Sequence, residues 1–518
     1  MAAVEAPMIG AVSTLGDVAQ TAGVVAAALL AAAVLLAGSP RMRAWSMLGA
    51  LVLTPVLLVA NIWSTPQFEP LRNRPVVLLL AGGGALVVLA LGALAIHRRP
   101  ELLALAAAAA LPFRVPIESG GDTANLLVPL YLVIAAGVLA YAAPRLGAAG
   151  RREPDERERG LLDWLLAAAI VLYALQAAYS SDFDNALSQV IFFYVPFTLL
   201  YALLRRIKWT PQLAGRCLAV LLVLAVAFVA IGFVEYAKRE LLLNPKVISS
   251  NQFESYFRVN SLFFDPNIYG RFLVVVMLGL VAVLLWSRRA LLVAGSALAL
   301  ALLWAGLVLT LSQSSFTALL AGLVVLGGLR WGAKKAAAIV LVFVVVAAAV
   351  VLVAPGAVGL NRSADAATSG RSTLVRGGVE LFAERPLQGW GAGSFKSEYR
   401  RRRKASGPRA AAASHTIPIT VAAEQGAGGL ALYLAFVAVA IAGLLRGARS
   451  SVARAAIAAA FVALVVHTLL YAAFLEDPLV WALLAVGVSL RAPERERAAQ
   501  EAQPPLGAAV AAPAAPAP

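Results

Sequence analysis

Long apolar runs, each about the length a helix needs to cross a bilayer, repeat along this chain with short polar gaps between them. They fall at 20–38, 45–61, 76–96, 124–142, 161–179, 186–204, 212–236, 268–286, 290–311, 316–330 and 336–355. After a long interruption they resume at 427–446, 454–474 and 478–491. A further run at 100–113 reads equally as a crossing or as a re-entrant segment. The pattern predicts an all-α, polytopic transmembrane helical bundle of about 12–15 spans. The interruption at 356–426 predicts a large, partly helical loop, in which 371–385 sets Leu374, Val375, Leu381 and Phe382 along one side of a helix that Pro386 ends.

The gaps alternate in charge. Basic gaps carry Arg41 and Arg43, Arg98 and Arg99, 145–159, 205–208, Arg288 and Arg289, 330–335 and 446–454. Between them lie gaps poor in positive charge, at 114–123, 180–185, 312–315 and 476–478. Lysine and arginine in short loops stay on the cytoplasmic side, so 237–267 and 356–426 are expected on the outer, periplasmic face and the C-terminus inside. The gap near 62–75, with Arg72 and Arg74, departs from the alternation. The chain therefore divides into N-terminal spans (1–236), an outer loop (237–267), further spans (268–355), the large outer loop (356–426), closing spans (427–491) and an Ala/Pro/Glu/Arg-rich tail (492–518) expected to be disordered and cytoplasmic.

Composition agrees with this reading and excludes several classes. Over 518 residues the chain is 61% hydrophobic and 14% charged, with a mean hydropathy of +0.83, too apolar for an ordinary soluble protein. A formal charge of +16 suggests nucleic acid, but most Lys and Arg occupy the gaps that topology explains, so the expected surroundings are the lipid bilayer and not nucleic acid. The single Cys217 sits in an apolar run, and His97, His415 and His467 are scattered, which argues against a disulfide framework or a zinc site. The N-terminus has no basic region before its apolar run, so no cleaved leader is expected. No internal repeat stands out, unlike transporters built from duplicated halves.

Two clusters carry candidate chemistry. In the first, Arg258 precedes Asp265-Pro266-Asn267, where an aspartate followed by proline starts a helix. That helix points its free N–H groups and positive dipole end outward, suited to a phosphate or diphosphate. Asn267 and Arg271 are four apart on one face, with Arg271 a turn inside the span. An arginine there needs a partner: either it takes part in anion binding, or it snorkels or pairs with Asp265 or Glu254. The second cluster is the large loop. Its glycines at 389, 391 and 393 follow no strand and read better as a tight turn than as a phosphate motif, and the basic run 400–404 reads as a lipid- or glycan-facing patch or as a solvated face. His415, at the loop's end, is placed to take a proton from a hydroxyl, or is bonded to backbone; Glu424 either orients a histidine or caps a helix. His467, mid-span, reads as a packed, hydrogen-bonded histidine.

Taken in order, ArgValAsnSerLeuPhePheAspProAsn (258–267), ThrLeuSerGlnSerSer (310–315), GlyArgSerThr (370–373), ArgProLeuGlnGlyTrpGlyAlaGly (385–393), SerHisThr (414–416) and GluGlnGlyAlaGlyGly (424–429) resemble the bacterial O-antigen ligase and polymerase family of membrane glycosyltransferases. The resemblance covers about 250–450 by motif order. It implies transfer of a glycan from an undecaprenyl diphosphate carrier to an acceptor glycolipid or polysaccharide on the periplasmic face of the inner membrane, with no cofactor, metal or nucleotide. By position it implies that Arg258, Arg271 and Arg371 hold the diphosphate and that His415 is the base, with Asp265, Asn267 and Glu424 contributing to substrate binding. One departure is Thr416, where the family usually has Asn after this histidine. Lipid A core, a growing polysaccharide and a protein hydroxyl all remain possible acceptors, and a transporter or flippase of lipid-linked glycans is the alternative from another class.

Overall fold

A computed structural model describes residues 6–62, 73–119, 122–147, 159–241, 257–338, 340–341, 345, 371–403 and 416–490. Helices α1 (Ala6–Leu36), α2 (Pro40–Ile62), α3 (Pro75–Arg98) and α4 (Glu101–Ala110) lead into a small hairpin, β1 (Val115–Ser119) and β2 (Asp122–Leu126). Then follow α5 (Val128–Leu146), α6 (Leu161–Ala177) and a rod made of α7 (Phe183–Gln189), a π turn (Val190–Tyr194) and α8 (Val195–Leu204). Next come α9 (Pro211–Lys238), α10 (Pro266–Trp286), α11 (Ala290–Thr310) and α12 (Gln313–Trp331). The loop region contributes α13 (Arg371–Glu384) and α14 (Phe395–Arg403), and the chain closes with α15 (Ile417–Leu445), α16 (Val452–Thr468) and α17 (Pro478–Ser489).

The expected all-α polytopic architecture is what the structure shows: among the described residues, nine helices are long and apolar enough to cross a membrane. The antiparallel hairpin, pairing Val115 with Leu126 and Ser119 with Asp122, is the small exception. Several boundaries differ from the hydropathy reading. The 100–113 run becomes α4, whose ten residues reach only about 15 Å, too short to span. The 124–142 run gives up its first residues to β2, and the 454–474 run stops at Thr468. Residues 417–426, assigned to the loop by polarity, belong to α15, which passes through a kink at Gly426 (φ 68°). Hydropathy misses such edges because polar side chains that bond to protein enter a helix without breaking it. The 336–355 run and the tail after 490 lie mainly outside the described residues.

Packing places α10 at the centre. It is apolar all round, as a helix enclosed by other helices must be, and is buried from Tyr269 to Leu280 against α9, α11, α12 and α16. Leucines and valines of α3 and α11 stand at the periphery, with Leu79 74% and Leu291 90% exposed, where a bilayer would cover them. The multi-pass membrane character thus follows from both hydropathy and packing.

The basic gaps gather at one end, where many arginines finish helix C-termini. Arg43 donates to the carbonyls of Val34 and Ala37, Arg330 to Leu285, Arg449 to Gly328 and Arg454 to Arg446. Each reaches a carbonyl at or near a helix C-terminus, where backbone acceptors outnumber internal donors. Arg205 pairs with the buried Asp163, which also accepts from the Tyr201 hydroxyl. The opposite end collects the start of α10 and the turn into α12, with the hairpin and the loop helices.

Candidate functional site

At that opposite end the chain enters α10 through a tightly bonded turn. Glu235, buried near the end of α9, accepts from the backbone N–H of Asn260 (3.2 Å) and Ser261 (2.8 Å), and Ser261 takes a left-handed conformation (φ 51°). Phe263 stacks on Tyr269 and packs against Phe228 and Phe272. Asp265 is the N-cap of α10: Oδ1 accepts from Asn267 N at 2.6 Å, Pro266 occupies the first helical position, and Oδ2 accepts from the Tyr471 hydroxyl at 2.9 Å. The helix start read from the Asp-Pro pair is therefore present, with its carboxylate engaged by Tyr471.

Arg258 is held across this helix start. Its Nε donates to the Thr310 carbonyl (2.9 Å) and its Nη2 to Asn267 Oδ1 (3.3 Å). Asn267 Oδ1 also accepts from Ser312 Oγ (2.8 Å), the N-cap of α12. Ser312 Oγ lies 2.8 Å from Ser315 Oγ, while Ser314 and Ser315 reach His467 Nε2 at 3.2 and 3.3 Å. The serine-rich turn, Asn267 and Arg258 thus form one hydrogen-bonded chain that ends on His467, which is buried and hydrogen-bonded as read from the sequence but stands in the last turn of α16 and not mid-span. Gly270 permits this close packing, since a Cβ there would stand 2.5 Å from Ser315 Oγ.

Arg271, one turn further, is 1% exposed. Its partner is Asp477 and not Asp265, while Glu254 lies outside the described residues: Nη1 donates to Asp477 Oδ2 (2.5 Å) and the Ala473 carbonyl (2.9 Å), and Nη2 reaches the Ala472 carbonyl (3.4 Å). The guanidinium carbon lies 5.5 Å from the centre of the Tyr471 ring. Ala473 is left-handed (φ 68°), which bends the 469–477 segment so that successive carbonyls turn toward Arg271. Asp477 caps α17, its Oδ1 accepting from Leu479 N at 2.9 Å. Arg114, between α4 and β1, enters the same neighbourhood: burial disfavours its charge, Asp477 offsets this and Arg271 adds to it. The Nε atoms of Arg114 and Arg271 are buried with no hydrogen-bond partner. Two guanidiniums with unspent Nε donors therefore gather at Asp477, with the Glu476 carboxyl near both, and their free donors suit an added anion.

The loop docks beside this arginine site. Gly389, Gly391 and Gly393 all have positive φ, and a Cβ on Gly391 would meet Ser180 Cα at 2.4 Å. They form the tight turn expected of them, pressed against α15: Trp390 N donates to Ala423 O (3.0 Å) and Gly391 N to Glu424 O (2.9 Å). The Glu424 carboxylate accepts from Gly393 N and Phe395 N, both at 3.0 Å, and so caps α14. The residues that join α6 to α7 and the start of α7 hold the turn from the other side, through Tyr179 to Gln388 O, Ser180 to Ala392 O and Asn185 to Gly393 O. In the basic run, Arg402 pairs with Glu384 and lies over Trp390, and Arg401 pairs with Glu398.

Of the residues singled out in the sequence, Arg258, Asp265, Asn267 and Arg271 come together, and Glu424 stands under the glycine turn. Arg371 is the first residue of α13, which packs on α15. His415 lies outside the described residues; the next residue, Thr416, donates from Oγ1 to the Leu469 carbonyl (3.1 Å), two residues before Tyr471. Sequence reasoning passed over Arg114, Tyr471 and Asp477. Signals existed for two of them: Asp477-Pro478 repeats the Asp-Pro helix start of Asp265-Pro266, and Arg114 is the lone basic residue of its gap.

Behind Ala472 and Ala473 lies a cavity of about 230 Å³ between α6, the π turn, α15 and residues 472–476. Glu476 faces it, and burial pushes its carboxyl up to about 7, against the opposing pull of Arg271, Gln189 and Arg114.

Residues 298–434 match the O-antigen ligase family, in agreement with the resemblance read from the motifs. The match runs from α11 through the serine turn, α13, the glycine turn and α14 into α15, and so includes Arg371, His415 and Glu424. No curated protein and no solved structure matches the chain. The domain supports a function of the O-antigen ligase or polymerase type.

Proposed function

We propose, from the O-antigen ligase domain that residues 298–434 carry, that this protein transfers a glycan from undecaprenyl diphosphate to a hydroxyl of an acceptor glycolipid or polysaccharide. The observation that carries the reading is one linked set of groups: Arg258 on Asn267, Asn267 N on Asp265, Asp265 on Tyr471, and Tyr471 beside Arg271. It joins two arginines across a helix N-terminus, with Arg114 alongside. The gathering of basic turns at the other end supports an outer-face position for this site in the inner membrane.

In this reading Arg258, Arg271 and Arg371, helped by Arg114, hold the diphosphate, and Asp265 and Asn267 fix the helix start against it. His415 takes the proton from the acceptor hydroxyl. The hydroxyl oxygen bonds to the anomeric carbon as that carbon's bond to the diphosphate oxygen breaks, and the electron pair leaves on the diphosphate. Guanidiniums and helix N–H groups, fixed in place before reaction, stabilise that growing charge without a metal. A general base contributes about 10²- to 10⁴-fold. One-step attack inverts the anomeric configuration.

The test uses purified protein, undecaprenyl-diphosphate-linked glycan and candidate acceptors, with neither metal nor nucleotide added. Release of undecaprenyl diphosphate together with an inverted glycosylated product, lost in His415→Ala and Arg271→Ala, is expected. A retained configuration would sink the one-step route, and movement of lipid-linked glycan across liposomes without transfer would replace the enzyme with a transporter.

A further inference from the structure

The cavity behind Ala472 and Ala473 is separate from the arginine set yet shares a wall with it, because those two residues line the cavity while their carbonyls accept from Arg271. Its lining is of two kinds. Tyr173, Tyr194 and Tyr433 supply aromatic surface, and Gln189, Glu476 and Glu424 supply amide and carboxyl groups. Gln189 Oε1 is buried and has no hydrogen-bond partner, an unspent acceptor at the cavity wall.

The backbone there departs from regular helix. Val190–Tyr194 is a π turn, so the rod carries an extra residue between two lining side chains, Gln189 at its start and Tyr194 at its end. Such insertions weaken a helix and are kept where they re-aim side chains at a functional site.

These features select a ligand class. A purely apolar occupant leaves the buried Gln189 Oε1 without a partner, which burial makes costly. A phosphate meets Glu424 and Glu476, whose carboxyls repel it. A pyranose ring offers both a C–H face for aromatic side chains and a rim of hydroxyls that donate to amide and carboxyl oxygens. The volume suits one ring.

We propose that this cavity is a single-sugar subsite, in which Gln189 and Glu476 accept from the sugar's hydroxyls and the tyrosines pack on its ring. The proposal rests on the glycan-transfer reading for the source of that sugar: the first residue of the lipid-linked donor, or the acceptor's terminal residue. The shared wall with Arg271 places either one next to the diphosphate.

The experiment titrates the full detergent-solubilised chain with three ligands: undecaprenyl-diphosphate-linked glycan, sugar-free undecaprenyl diphosphate and a soluble acceptor oligosaccharide. Intrinsic tryptophan fluorescence reports binding for wild type, Gln189→Leu and Glu476→Gln. Both variants are expected to bind one sugar-bearing ligand at least tenfold more weakly and the sugar-free carrier unchanged. Loss for the linked glycan assigns the donor sugar, and loss for the oligosaccharide assigns the acceptor. Gln189→Asn, which keeps the amide, replaces Gln189→Leu if the latter does not melt cooperatively. Equal affinities for all three ligands, or an equal loss for the sugar-free carrier, overturn the subsite. Sugar binding that depends on Gln189 in a wild type that transfers nothing removes the enzyme reading and leaves the subsite standing.

Discussion

Arg271 and Asp477 meet at 2.5 Å across 206 residues of chain, both almost wholly buried, and they fasten the start of α10 to the start of α17. Asp477 is the cap of α17 and Arg271 lies in the second turn of α10, so one ion pair fixes the two helix N-termini toward the same end. Arg114 adds a second positive charge beside Asp477.

Removing the carboxylate leaves Arg271 and Arg114 facing each other. Asp477→Ala is expected to destabilise the protein by about 3–5 kcal/mol, the cost of stranding a buried charge. Arg271→Ala/Asp477→Ala together should cost less than the sum of the single changes, which thermal melts of all four proteins in one detergent will measure. Additive effects would show that the pair is not coupled.

The serine turn depends on His467. His467→Phe removes the bonds to Ser314 and Ser315 and should cost about 1–3 kcal/mol. Because those serines support Asn267 and Arg258, affinity for undecaprenyl diphosphate should fall several-fold as well. A melt shifted with unchanged lipid affinity would confine His467 to packing.

The glycine turn and the α15 kink form a joint with no room for side chains. A Cβ on Gly426, at φ 68°, would stand 2.1 Å from the Leu387 carbonyl oxygen. Gly426→Ala is expected to loosen the 385–427 joint, read as faster limited proteolysis there, with a strain of about 1–3 kcal/mol. Gly82→Ala, whose Cβ meets nothing within 4 Å inside α3, is the control and should be neutral or slightly stabilising.

Glu476 gives a pH signature. Its carboxyl is raised to about 7 from an ordinary 4.5, so the folded protein holds a proton that the unfolded chain releases. That contribution is fully present below about 4.5 and is lost as pH rises through about 7, a change of up to about 3 kcal/mol. The groups acting on it are Arg271, Gln189, Arg114 and Asp477, with Glu424 repelling it across the cavity. Stability should therefore fall between pH 4.5 and 7 in wild type, and Glu476→Gln should flatten that slope in melts taken across the range.

Much of the protein was decided along the chain itself. Apolar runs of bilayer length had to become helices, because backbone groups in lipid are satisfied only within a helix or a closed barrel. Asp265-Pro266 had to start one of them, since an Asp cap and a proline at the first position solve the helix-end problem locally. The motif order from Arg258 to Glu424 carried the family resemblance, which the match over 298–434 supports. Packing decided the rest. The partner of Arg271 lies 206 residues away, beyond anything spacing can express. Glu424 reads as polar and loop-like in isolation, yet it stands inside α15 because Gly393 and Phe395 donate to it there. Arg114 and Glu476 reach one site only when the turn after α4 and the segment before α17 are both brought to Arg271 of α10. Periodicity and caps are properties of neighbouring residues and are written locally, whereas the pairing of buried charges is set by which helices touch, a choice that belongs to the whole chain's packing.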